Sequence, residues 1–206
     1  MSDQDRPQIY LLTPPSFDPE EFTPKLARVL DAHQIACLRL TLATQDETLI
    51  GRAADACREL AHARDIAIVI DSHIPLVERH GLDGVHLQDG PRSIRAARKV
   101  LGEDAIVGSH CGISRHDGMA AGEAGADYVC FGPIGETHLG TGAQAEHEMF
   151  TWWSEVIEVP VVAEGALTEE LIAKFAPVTD WFAVGEEIWR SETPEKRLGE
   201  LIAAIG

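Results

Sequence analysis

The chain has 206 residues, 45% hydrophobic and 25% charged, the balance of a soluble globular protein with a single core. Its formal net charge of −17 at pH 7 repels nucleic acid and anionic membrane, because phosphate backbones are bound through Lys and Arg that release counterions. No apolar run of about 18 residues is present, and the opening MSDQDRPQ lacks the basic-then-apolar order of a secretory signal, so a cytoplasmic protein with no nucleic-acid or membrane partner is expected.

Along the chain, short apolar runs alternate with segments of helical period. The runs are IYLL (9–12), IACLRL (35–40), IAIVI (66–70), GVHL (84–87), AIVGS (105–109), YVCF (128–131), PVVA (160–163) and WFAV (181–184). Their scant apolar/polar alternation suits strands covered on both faces in a parallel sheet. Between them, 22–33 places Leu26, Val29 and Leu30 on one helical face, and 47–63 does the same for Leu49, Ala53, Cys57 and Leu60. Asp46, Thr168 and Thr193-Pro194 stand where helices should begin. No linker or shift in composition divides the chain, so residues 1–206 are expected to form a single domain. Eight β/α units predict an α/β fold, a single (β/α)8 TIM barrel, with an open doubly wound sheet as the alternative.

Cys37, Cys57, Cys111 and Cys130 lack CxxC or CxH spacing and are expected to be reduced, mostly buried thiols.

A barrel of this kind performs chemistry at the C-terminal ends of its strands. After the sixth strand, GPIGETHLGTGAQA (132–145) is long for a βα turn, and Gly140 and Gly142 would let backbone N–H groups approach a ligand. After the seventh, Gly165 sits at a strand-to-helix junction, with Ala166 following and Thr168 capping a helix whose N-terminus can receive an anion. Gly185 holds the matching place after the eighth. Asp71 and Asp89 follow neighbouring strands three and four and can share one Mg²⁺ through oxygen and water, although either can instead cap a helix. His73, His86 and His110 fall at the same mouth, where imidazoles can donate or accept protons near neutral pH.

GLDGVHL (81–87), VGS (107–109), GEAGADYVCFGPI (122–134) and VPVVAEGAL (159–167) resemble, in order and spacing, the thiamin phosphate synthase and thiazole tautomerase family of small (β/α)8 barrels. The resemblance implies a joining reaction on small phosphorylated pyrimidine and thiazole substrates. Pyrophosphate leaves a hydroxymethyl-pyrimidine carbon, and the nitrogen of a thiazole phosphate captures the carbocation-like species, with Mg²⁺ and cationic side chains holding the pyrophosphate. It assigns matching positions to Arg39, His86, Ser109, Thr137 and Gly165. It also exposes departures. The two family lysines fall at Thr41 and Gly140, the Asn-Asp magnesium pattern reads Asp71-Ser72, and Asp89 is left as the other carboxylate. Glu164, Glu186 and Glu187 surround the expected phosphate end, where they oppose an anion unless they turn away. An isomerase using His110 or His116 as base, or a non-catalytic ligand-binding barrel, is the alternative reading. The pattern is also compatible with a homo-oligomer.

Overall fold

A computed structural model describes residues 6–137 and 142–206. Eight parallel strands close into a barrel in chain order. They are β1 (Gln8–Leu12), β2 (Cys37–Leu40), β3 (Ala67–Asp71), β4 (Gly84–Leu87), β5 (Ile106–His110), β6 (Tyr128–Phe131), β7 (Val161–Glu164) and β8 (Trp181–Val184). The ring closes where β1 pairs with β8, Ile9 opposite Phe182 and Tyr10 opposite Ala183. Every expected strand is present, with ends displaced by no more than two residues.

Period-two alternation divides the strands' apolar side chains into two cores. Outward residues such as Leu11, Leu38, Ile68, Val85 and Val129 pack against the helices. Inward residues, among them Tyr10, Cys37, Val69, Tyr128, Cys130 and Val162, fill the barrel. Helix α1 (Pro19–Ala32) buries Phe22, Leu26, Val29 and Leu30 and is capped by Asp18. Helix α2 (Glu47–His62) is capped by Asp46, but its buried stripe is Ile50, Ala53, Ala54, Cys57 and Ala61, and Leu49 is exposed. The expected face is thus rotated by about one residue, toward the small side chains of Ala53, Ala54 and Ala61.

The bottom of the barrel is fixed by a repeated device. Asp83, Asp127 and Asp180, just before β4, β6 and β8, each accept a hydrogen bond at 2.7 Å from a backbone N–H near the start of the preceding strand, at Ile68, Val107 and Val161. The aspartates of GLDGV and GADYV therefore set strand register, at the end of the barrel opposite the chemistry.

All four cysteines are buried and free. Among the described residues no helix is long and apolar enough to cross a membrane.

Candidate active site

The C-terminal ends of the strands carry polar side chains into the barrel at one level. The guanidinium of Arg39, only 4% exposed, is their centre. Its Nη1 donates to Glu164 Oε2 at 2.7 Å and its Nη2 to Glu164 Oε1 at 3.3 Å, a two-pronged pairing. Its Nε lies 3.0 Å from Asp71 Oδ1, close enough for charge pairing, although neither atom has a well-aligned hydrogen bond. Its Nη1 also donates to His86 Nε2 at 3.2 Å. Because Arg can only donate, that nitrogen is unprotonated. The proton of His86 therefore sits on Nδ1, which donates to Tyr128 Oη at 2.9 Å, and Tyr128 Oη shares a 2.5 Å hydrogen bond with Tyr10 Oη. The cluster is linked from β1 to β7 and seals the cavity floor.

Burial and charge set the ionisation of these groups. Burial would raise the Glu164 carboxyl, but the Arg39 charge and its hydrogen bonds hold it far below the usual carboxylate range. Burial lifts Asp71 to about 6 despite Arg39, and Glu164 adds to the rise. His86 is kept neutral first by burial and then by Arg39. His110 is lowered for the same reasons, with Glu164 opposing.

Above this floor lies a cavity of about 1120 Å³ at the mouth of β6 to β8, lined by His110, Thr137, Glu164, Gly165, Ala166 and Glu187 among others. Its wall is built by close backbone approach. The N–H groups of Ile134 and Gly135 donate to the carbonyls of Glu164 and Gly165 at 3.0 and 3.1 Å. A Cβ at Gly132 would meet Glu164 O at 2.4 Å, and one at Gly135 would meet Ala166 O at 2.2 Å. These two glycines of the loop thus serve the β7 turn. That turn is tight: Gly165 has φ +94° and Ala166 φ +54°.

The sequence-derived positions divide accordingly. Arg39, Asp71 and His86 join the floor, while His110, Thr137, Gly165 and Ala166 line the cavity. Ser109 is a correction: His110 faces inward, so alternation sends Ser109 outward, where its Oγ donates to Gly90 O at 2.8 Å and is fully buried. It anchors the turn after β4 away from the cavity. The Gly185 N–H donates to Glu187 Oε2 at 2.9 Å, and the Leu167 N–H to Glu187 Oε1 at 3.2 Å. The amides suited to an anion are therefore held by the chain's own carboxylate. Gly140 lies outside the described residues. Thr41, at a family lysine position, ties β2 to β1, its Oγ1 donating to Thr13 O at 2.6 Å. His116 is exposed on the helix Arg115–Glu123. His73 precedes helix α3 (Ile74–His80).

Unforeseen members are Tyr10, Tyr128 and Cys130 inside the barrel, and Arg190 at the rim, which is 78% exposed and pairs with Glu186. The sequence signal for the inner set is a polar or tyrosine side chain inside an apolar strand.

Two metal arrangements can be weighed. Ligand atoms of His86, His110 and Glu164 lie within 4.8 Å of one another. The Arg39 guanidinium already bonds two of these three groups, so the field that would draw a metal is taken by a fixed cation. Asp71 and Asp89 offer oxygen donors instead. Asp71 Oδ1 accepts no aligned hydrogen bond, and Asp89 is exposed, its Oδ2 accepting only from Ser93 Oγ at 2.5 Å. Asp71 Oδ1 is buried beside Arg39 and its Oδ2 accepts from Gln88 Nε2 at 3.2 Å, so Asp89 is the one of the two that is open to water and fits Mg²⁺, which keeps most of its water ligands.

Residues 9–185 match the family model described as thiamine monophosphate synthase. The chain is 43% identical to a thiamine-phosphate synthase of Rhodospirillum centenum, over 88% of this chain and 89% of that protein. It is 34% identical to one of Erythrobacter litoralis, over 90% and 89%. A thiamine phosphate pyrophosphorylase from Pyrococcus furiosus shares the fold, with TM-score 0.83 at 20% identity, covering 96% of this chain and 95% of that one.

Proposed function

The chain belongs to the thiamine monophosphate synthase family, and on that premise we propose that it joins a hydroxymethyl-pyrimidine pyrophosphate to a thiazole phosphate, releasing pyrophosphate. The observation that carries the reading is the cavity at the strand ends, bounded by the two turns, after β6 and β7, where the family motifs lie. The bond between the pyrimidine methylene carbon and its bridging oxygen breaks, and its electron pair leaves with pyrophosphate. The thiazole nitrogen then supplies the pair for the new C–N bond.

Such a reaction asks the protein for position and for charge. Much of the cavity floor is buried, with Arg39, His86 and Tyr128 fully or nearly so, which favours a flat ring over a hydrated anion. The pyrophosphate belongs toward the rim, where Arg190 is the cation on the cavity wall among the described residues. A Mg²⁺ held by the exposed Asp89 would carry part of the charge that the family lysines carry elsewhere, while Asp71 and Asp89 stand outside the cavity lining, so Arg190 is the protein's own contact for the leaving pyrophosphate. The thiazole phosphate is assigned to the turns after β7 and β8, where it would take the amides of Gly185 and Leu167 from Glu187. Buried, reduced thiols support a reducing compartment, so the cytoplasm is the proposed location.

The test is incubation with both precursors and Mg²⁺, following thiamin phosphate by chromatography. Product is expected at micromolar enzyme; no product at high enzyme and saturating substrates overturns the proposal.

A further inference from the structure

We propose that Glu164 contacts the pyrimidine ring and supplies the negative charge that stabilises the cation forming on its methylene carbon. The inference rests on the reading above and deepens it by giving the ring a partner and an orientation.

Four observations converge on this residue. It ends β7, lines the cavity, and keeps 20% of its side chain accessible, whereas its partner Arg39 is 4% exposed and set back beneath it. The carboxylate is directed by three donors: Arg39 Nη1 and Nη2, and Cys130 Sγ, which donates to Oε2 at 3.2 Å. A carboxylate offers about four acceptor positions, so an acceptor position remains, on Oε1, which has the single longer bond from Arg39.

The local charge also points to a cation. Arg39 spends Nη1 and Nη2 on Glu164, which of the two acids paired with Arg39 is the one that lines the cavity. His86 adds no charge, because its Nε2 accepts from Arg39. The Glu164 carboxylate is therefore the charge that a ligand in the cavity meets at the floor. An anion placed there would be repelled, but a ring losing its pyrophosphate becomes positive at the methylene carbon and gains most from a carboxylate fixed beforehand. This orientation puts the ring inward on Glu164 and the leaving group outward at the rim. Arg39 then serves Glu164 and does not meet the pyrophosphate.

The experiment compares two pyrimidines that differ only at the methylene: the neutral hydroxymethyl compound and its aminomethyl counterpart, an ammonium that imitates the cation. Calorimetric titration of the wild-type chain should show the amine bound at least tenfold more tightly than the alcohol, and Glu164→Gln should abolish that preference. With both true substrates, Glu164→Gln should lower kcat about a hundredfold, in the range for loss of one preorganised charge-stabilising contact. Glu164→Asp keeps the charge and should retain part of the preference, which covers the case in which the glutamine variant does not fold. Equal binding of amine and alcohol to the wild-type chain overturns the proposal, as does a Glu164→Gln enzyme with unchanged kcat. If the wild-type chain forms no thiamin phosphate, the reaction assignment fails, while the amine preference still decides whether Glu164 meets the ring.

Discussion

Arg39→Met tests the floor of the site as a structural unit. The substitution keeps the length and bulk of the side chain but removes the positive charge facing Glu164 and Asp71, with the donors to Glu164 at 2.7 and 3.3 Å and the charge contact to Asp71 at 3.0 Å. Removing one partner of a buried pair costs about 3–5 kcal/mol. The two acids keep 20% and 23% of their side chains accessible, so water softens the loss and the lower end, about 3 kcal/mol, is expected. For a domain of this size that is a fall in Tm of roughly 6–12 °C. Adding Glu164→Gln to Arg39→Met removes one stranded charge as well and should recover about 1–2 kcal/mol, a coupling that a double-mutant cycle reads directly. Urea unfolding at pH 7.5, with equal m-values for all variants, is the assay. A loss below about 1 kcal/mol for Arg39→Met, or strict additivity in the cycle, would refute the network described above. A further consequence is that loss of activity on Arg39→Ala alone cannot assign Arg39 a role at the leaving group.

Glu187→Gln should lower the KM for thiazole phosphate about tenfold with kcat within twofold, because the amides of Gly185 and Leu167 no longer face a rival carboxylate; a higher KM counts against the phosphate placement. Stability should also depend on pH in a definite direction. His86 and His110 are held below the ordinary imidazole range, so their contribution is complete above about pH 6.5 and is lost as pH falls and the unfolded chain takes up their protons. Asp71, raised to about 6, acts in the opposite sense: it binds its proton in the folded state first and offsets roughly one of the two histidines between pH 6 and its unfolded value. Glu164, held low, contributes stability above about pH 4.5 that is lost on further acidification. Stability from urea unfolding should therefore fall between pH 7 and 4, because the two histidines outweigh Asp71 and Glu164 adds to the loss at the acid end; stability that rises over that interval contradicts the assignments.

The eight strands were legible because each is a short apolar run between helical segments, and caps such as Asp46 and Thr168 marked where helices start. The face each strand residue takes was not legible in the same way. With both faces apolar there is no alternation to read, so Ser109 and His110 look equivalent until His110 is found lining the cavity and Ser109 bonded to Gly90 O. The helical face of 47–63 was misplaced for a related reason: alanines carry little hydrophobic signal, yet Ala53, Ala54 and Ala61 are among the residues the helix buries. Glu164 stood in the sequence only as a charge hostile to phosphate. Its role depends on Arg39, distant by 125 residues, and a pairing across the barrel has no local signature. The sequence pointed to Gly140 and Gly142 for close backbone approach, whereas the glycines that the neighbouring backbone of the β7 turn requires are Gly132 and Gly135.

A crystal structure of the chain with hydroxymethyl-pyrimidine and pyrophosphate bound would probe the account most directly. The account predicts the ring in the cavity at hydrogen-bond distance from Glu164, with pyrophosphate at the rim on the side of Arg190. Pyrophosphate seated on the floor against Arg39, or the ring bound away from the strand ends, would contradict it.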